Sequence, residues 1–317
     1  MFILSILSKF VLPYGPCARQ ADSVVASADA GERGAALALA ARRPRRSRAS
    51  GAAATAWIGL VMTLTVLVVA VCAPLLSPHP HDDQDLMASL LPPFWLPGAD
   101  PTYPLGADFQ GRDLLSRLMH GARTSLLIGT SAVIVAGILG IPLGLLAGYF
   151  GGWVDEVIMR LADAQLAFPP VVLAIGILSV AGSSVTTIAL VLGTIGWVQY
   201  ARVIRGQTLS LREREFVTAA RVCGAGDGRV LARHILPNAL GPILVIASVN
   251  VSGMILAEAS LSFLGIGVRP PTAAWGTMLS EGRDVFGVAW WNAVFPGLAI
   301  VWTVFGINLL GDAWQRR

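Results

Sequence analysis

The stretch EFVTAARVCGAGDGRVLARHILPN, residues 215–238, interrupts a chain in which 55% of the residues are hydrophobic. Long apolar segments lie on both sides of it, yet it carries Arg221, Arg229 and Arg233 and is broken by Gly224, Gly226 and Gly228. An Arg at the centre of a membrane costs about 2.5–3.5 kcal/mol even on a lenient insertion scale, so several together place the stretch in water. It is also patterned. Phe216, Val217, Ala219, Ala220 and Val222 give a helix-favouring run with an apolar face, and the glycines end it. Asp227 is expected to cap a second short helix, in which Val230, Leu231, His234 and Ile235 share a face and Arg229 and Arg233 lie on another. Pro237 is expected to stop that helix, and Asn238 to cap the membrane span that follows. The reading is a helix–turn–helix held rigidly between two spans, a shape suited to passing force to a partner.

Composition agrees with a membrane setting. Of 317 residues only 13% are charged, about half the fraction usual in a soluble globular protein. The formal charge of +4 is unevenly placed and reads as a topology signal rather than a nucleic-acid footprint. Lys9 is the only lysine, and it follows no glycine loop, so a standard phosphate-binding P-loop has no lysine to use. Any ATP is therefore hydrolysed by a partner. Cys17, Cys72 and Cys223 are scattered and odd in number, which gives neither a disulfide framework nor a metal-binding pair.

Six segments are long and apolar enough for a bilayer core of about 20 helical residues, near 55–76, 124–150, 157–181, 185–204, 239–263 and 290–311. Arg42, Arg43, Arg45, Arg46 and Arg48 precede the first; residues 77–111 hold no Lys or Arg and contain Asp82, Asp83, Asp85, Asp100 and Asp108. Arg202 to Arg233 supply a second basic cluster, and Arg316 and Arg317 a third. With both termini in the cytosol, all three clusters fall inside and the acidic loop outside. Residues 1–51 are expected to form a disordered cytosolic tail and 52–317 the membrane domain. In the second span Gly140, Gly144, Gly148 and Gly152 recur every fourth residue, so one face admits close helix packing, and Pro142 is expected to kink it.

At this point a resemblance is plain. Thr218-Ala219-Ala220, Gly224 and His234-Ile235-Leu236-Pro237 resemble the EAA signature of permease subunits of bacterial ABC importers. That signature is Glu-Ala-Ala, three residues, Gly, nine residues, an aliphatic, any residue, then Leu-Pro. The spacing matches without a gap; Thr218 stands for the Glu and His234 fills the aliphatic slot. LGADFQGRDLLSRLMHGARTSLLIG (105–129) and AEASLSFLGIGVRPPTAAWGTMLSEGR (257–283) resemble segments of the dipeptide, oligopeptide and nickel permeases, in particular the second of their two permease subunits. The resemblance covers residues 52–317.

The resemblance implies an all-α polytopic protein of six transmembrane helices, with the type I ABC importer permease fold and a cytosolic coupling loop at about 206–237. Within that loop Glu215, Thr218, Ala219, Ala220, Gly224, Asp227, Arg233, His234, Leu236 and Pro237 would meet an ATPase. It implies a second homologous permease, two ATPase subunits that bind ATP and Mg²⁺, and a periplasmic or lipid-anchored solute-binding protein. This chain would sit in the bacterial inner membrane, in contact with lipid and not nucleic acid. It would hold no cofactor, metal or catalytic residue of its own. Peptides are the expected solute, with nickel or another small solute as the alternative.

Other residues stand out. Glu258, near the outer end of the fifth span, is a candidate pore or gate residue, because ionisable groups in spans are functional by default; a structural hydrogen bond is the other reading. Arg112, Asp113, Trp275 and Glu281 are candidate contacts for the binding protein, against interfacial packing or a loop folded over the helix ends. Asp155, Glu156, Arg160 and Asp163 mark the entry to the third span, with Glu156 and Arg160 spaced for a surface pair. His79 and His81 beside Asp82 and Asp83 fall short of a metal-ligand set and fit a solvated acidic loop. Two rival classes remain. A membrane enzyme is disfavoured, since His79, His81, His120 and His234 form no HExxH and no GxSxG occurs. An ion-coupled secondary transporter needs mid-membrane polar residues and usually an internal repeat, and unlike an ABC subunit it would work without an ATPase.

Overall fold

The computed structural model describes the backbone of residues 45–315 and the side chains of 54–313. Among them are helices, turns and loops, and no strand beyond one isolated bridge between Ala107 and Asp113. Helix α1 (Arg45–Leu76) begins ahead of the boundary expected at 51. The rest of the expected tail, residues 1–44, lies outside the described residues, as do Arg316 and Arg317. A long ordered loop, carrying one short 3-10 turn (Leu86–Ala88), leads to α2 (Leu114–Phe150). Pro142 sits inside that continuous helix.

The third span is broken. Sequence suggested one helix over 157–181, but the chain forms α3 (Gly152–Leu166) and α4 (Pro170–Ala181), bent by 84°. The cause is Phe168-Pro169-Pro170. Neither proline has an N–H to donate, and each disfavours helical geometry in the residue before it. Pro170 then starts α4, where a missing N–H costs nothing. Among the described residues five helices are therefore long and apolar enough to cross a membrane singly, and six spans result where the bent pair counts as one.

Helix α5 (Val185–Arg212) starts at Ser184, whose hydroxyl accepts from Thr187 N at 3.0 Å. It packs along the length of α2. A Cβ on Gly140 would lie 2.4 Å from the Trp197 carbonyl; on Gly144, 2.6 Å from that of Ala201; on Gly148, 2.8 Å from that of Arg205. Only glycine fits, and the two backbones touch. Gly152 does not join this stripe, because α2 ends at Phe150 and nothing lies within 4 Å of it. Helices cannot be driven together by apolar burial in lipid, so contact between small residues is the force available.

After α5 come α6 (Glu215–Val222), α7 (Asp227–Val230), one π turn (Leu231–Ile235) and α8 (Leu236–Phe263). Contrary to expectation, Pro237 does not stop a helix. Asp227–Phe263 runs as one span, and the π turn absorbs the proline by widening the ladder. Asn238 caps nothing; its Nδ2 donates to the His234 carbonyl at 2.6 Å, in the turn the proline disturbs. Helices α9 (Trp275–Asp284) and α10 (Trp291–Gln315) close the bundle. Large apolar side chains such as Val71, Leu75, Val180 and Val301 stay exposed, as expected of surfaces meeting lipid or another membrane helix.

Gly144→Leu should lower the stability of the detergent-solubilised chain by about 3 kcal/mol or prevent its folding, because the helices cannot separate to admit it. Gly206→Leu, where nothing lies within 4 Å, should leave the thermal midpoint unchanged.

Candidate functional site

Residues 213–237 form one compact hook at the C-terminal end of α2. Of the apolar positions inferred from sequence, Val217, Val230 and Ile235 anchor it, fully buried against Leu145 and Tyr149 of α2, Ile204 of α5 and Ala239 and Ile243 of α8, whereas Phe216, Ala219 and Val222 are exposed. In α6 the buried Val217 leaves the opposite face outward. Glu215, Thr218, Ala219 and Val222 follow helical spacing and are all exposed, Val222 by 82%. Thr218 Oγ1 reaches only the Arg214 carbonyl, at 3.5 Å.

Gly224 holds φ +82, a left-handed conformation that other residues enter at a cost of about 1–2 kcal/mol. Its N–H donates to the Arg221 carbonyl at 2.9 Å, closing α6. Asp227 does not cap α7; the cap residue is Gly226, without a side-chain bond. Asp227 Oδ1 instead accepts from Tyr149 Oη at 2.6 Å, and Arg221 lies 5.0 Å above the Tyr149 ring. The hook is thereby tied to α2. Arg233 and Pro237 are exposed and His234 and Leu236 half-buried. Nearby, Arg205 of α5 grips Asp155 of α3 through two bonds of 2.5 Å, and Arg202 reaches Asp163 at 2.6 Å. The expected Glu156–Arg160 pair is present at 3.6 Å with both side chains exposed.

At the other end of α2 the 77–113 loop is locked by a buried charge cluster. Asp108 Oδ2 accepts from Arg112 Nε at 2.6 Å and from Arg117 Nη1; Glu281 Oε2 accepts from Arg112 Nη2 at 2.9 Å and from Arg117 Nη1 at 2.8 Å. Two guanidinium groups meet two carboxylates, so the cluster is neutral. Asp113 caps α2, its carboxylate accepting from Ser116 N at 2.9 Å and Ser116 Oγ at 2.5 Å. The expectation that Arg112, Asp113 and Trp275 touch a binding protein is corrected here. They are 1–3% exposed and join the loop, α2 and α9. Trp275 Nε1 donates to the Leu118 carbonyl at 3.0 Å. Glu281 is one-fifth exposed but spends its carboxylate on the same cluster.

Glu258 makes the structural hydrogen bonds that were the other reading of it. It is fully buried; Ser262 Oγ donates to it at 2.7 Å and Ser125 Oγ at 3.3 Å, linking α8 to α2. His79 stacks on Tyr103 and His81 on His120, so neither is simply solvated. Among the described residues no three His, Cys, Asp or Glu converge on a metal position.

Sequence reasoning missed two of these functional ties. Asp108 and Arg112 carry the signal of an i,i+4 pair within the quoted stretch. Tyr149 carries none: it is 78 residues from Asp227.

A bundle of apolar spans with a compact hook fixed to the end of α2 is the architecture of a membrane permease subunit. The chain belongs to the family of binding-protein-dependent transport system inner membrane components, whose pattern it matches over residues 140–317. Residues 54–93 match the N-terminal transmembrane domain of oligopeptide transport permease C. Among similar proteins, the di/tripeptide transport system permease protein DppC of Pseudomonas aeruginosa is 43% identical over 77% of this chain and 80% of its own length. The dipeptide permease DppC of Haemophilus influenzae is 40% identical over 77% and 83%. The glutathione transport system permease GsiD of Pectobacterium atrosepticum is 42% identical over 68% and 71%. A chain of the MetNI methionine ABC transporter, solved in inward-facing conformations, superposes with a TM-score of 0.51 at 16% identity. That match covers 62% of this chain and 93% of the other, and shows the type I importer fold.

Asp108→Asn should strand buried Arg112 and Arg117 and cost about 3–5 kcal/mol. A lower thermal midpoint, with faster proteolysis of the 77–113 loop, is the expected result.

Proposed function

We propose that this chain forms half of the translocation path of a peptide importer, paired with a second homologous permease and driven by ATP hydrolysis in two partner subunits. The observation that carries the proposal is the hook. Its anchored face and its exposed face of Glu215, Thr218, Ala219 and Val222 give an ATPase something to push against. In this reading the hook and both termini lie in the cytosol. The 77–113 loop and α9 face outward, where a solute-binding protein delivers its load. The Arg placement supports that orientation. The chain performs no chemistry; ATP and Mg²⁺ stay with the partners. The peptide class follows from relatives described as dipeptide, di/tripeptide and glutathione permeases. Thr218, in place of a Glu, leaves α6 without one carboxylate for the partner, and Glu215 on the same face is the residue able to supply it.

Uptake of a labelled dipeptide should fall to background in cells lacking this chain. It should return with the intact gene and not with a Gly224→Glu copy. Gly224 has no neighbour within 4 Å of a would-be Cβ, so the damage comes from its positive φ and the added charge rather than a clash. Normal transport-linked ATPase activity in that variant would contradict the role of the hook. Unchanged uptake in the deletion strain would move the solute to nickel or another class.

A further inference from the structure

The break in the third span opens a hollow of about 210 Å³ between α3, α4, α5 and α8. It is lined by apolar side chains such as Phe168 and Met254, and by three carboxamides, Gln165, Gln199 and Asn250. No charged residue, His or Cys lines it.

The placement of these amides is unusual for a membrane helix. Gln199 and Asn250 each sit at the midpoint of a 28-residue helix, α5 and α8. Gln199 is exposed on the chain surface. A polar side chain within an apolar span, bared by its own subunit, must meet water, a partner or a ligand. Asn250 Nδ2 is buried and makes no well-formed hydrogen bond, although it lies close enough to Tyr200 Oη to interact. Gln165 is held in place: its Nε2 donates to the Ile195 carbonyl at 2.7 Å and its Oε1 accepts from Trp197 Nε1 at 2.8 Å. One N–H and a lone pair of that amide stay unused. Gly253 leaves bare backbone on the same wall, with nothing within 4 Å of its would-be Cβ.

We propose that this hollow is the peptide-handling wall of the path in this chain, with Gln199 and Asn250 hydrogen-bonding the backbone of the passing peptide and Gln165 holding the wall's shape. The inference rests on the peptide reading above. A carboxamide donates and accepts at once and so matches either edge of a peptide unit. Being neutral, it does not select on side-chain charge. The apolar remainder, with the adaptable Met254, accepts varied side chains. A free divalent cation finds no carboxylate, imidazole or thiolate there, which sets the hollow against the nickel alternative. Its volume lies below the roughly 300–1,000 Å³ of a complete small-molecule site, as expected of one wall facing another supplied by the second permease.

The test uses the complete importer, with binding protein, both permeases and both ATPases, in proteoliposomes. Uptake of labelled dialanine and binding-protein-stimulated ATP hydrolysis are measured on the same preparation. Gln199→Leu and Asn250→Leu should each cut uptake per ATP hydrolysed about tenfold, since a buried peptide group loses its partner, while ATP hydrolysis is retained. Gln199→Asn should keep most of the uptake. Gln199 is exposed, so its leucine variant threatens no packing, and retained ATP hydrolysis certifies assembly. Unchanged uptake per ATP in Gln199→Leu, with the wild type active, would overturn the hollow's role and leave the peptide reading intact. A wild-type complex that hydrolyses ATP but imports no dipeptide would overturn the peptide reading, and the hollow's role with it.

Discussion

Backbone contact between α2 and α5, made possible by Gly140, Gly144 and Gly148, is the constraint on which the other features hang. Without side chains in the way, the carbonyls of Trp197, Ala201 and Arg205 come within van der Waals reach of α2. Such a contact has little room to slide, since any displacement brings a bulkier neighbour onto the glycine stripe. The pair therefore behaves as one rod. Its length, about 1.5 Å per residue over 37 residues of α2, carries it from one face of the bundle to the other.

Both working ends are fixed to that rod by polar bonds. At one end Tyr149 of α2 holds Asp227, and the buried Val217, Val230 and Ile235 seat the hook against α2, α5 and α8. At the other, Asp108, Arg112, Arg117 and Glu281 fasten the 77–113 loop and α9 to the first turns of α2. Buried ion clusters of this kind contribute little net stability against apolar packing, but breaking one is costly. Their effect is to give the loop a single position. In the proposed function, force applied at the hook would reach the loop-bearing end of α2 through the α2–α5 pair, while the broken third span, held to α5 by Arg205–Asp155, Arg202–Asp163 and Gln165, sits beside it.

Much of this was readable in the chain itself. Hydropathy located the apolar segments and the 215–238 pattern the hook, because bilayer thickness and charge burial allow few solutions. The local details at the prolines were not. Pro169-Pro170 broke a span that its apolarity disguised, and Pro237 was absorbed into a π turn that no propensity rule announces. Asp227 had the look of a cap, yet its partner was a tyrosine far away in sequence. Arg112, Asp113, Trp275 and Glu258 looked functional because they are polar or aromatic near an outer surface. Their burial, a property of tertiary packing alone, turned them into internal ties.

The central claim is that hook and α2 move as one body when ATP drives the importer. It is tested most directly by a spin-label distance within this chain in the assembled complex, from Cys223, exposed on the hook, to a label at Leu146→Cys on α2. Cys17 and Cys72 would be replaced by serine. One narrow distance, the same in the nucleotide-free and ATP-trapped states, is the expected result. A distance that shifts or broadens on trapping would show that the hook swings independently, and would contradict the claim.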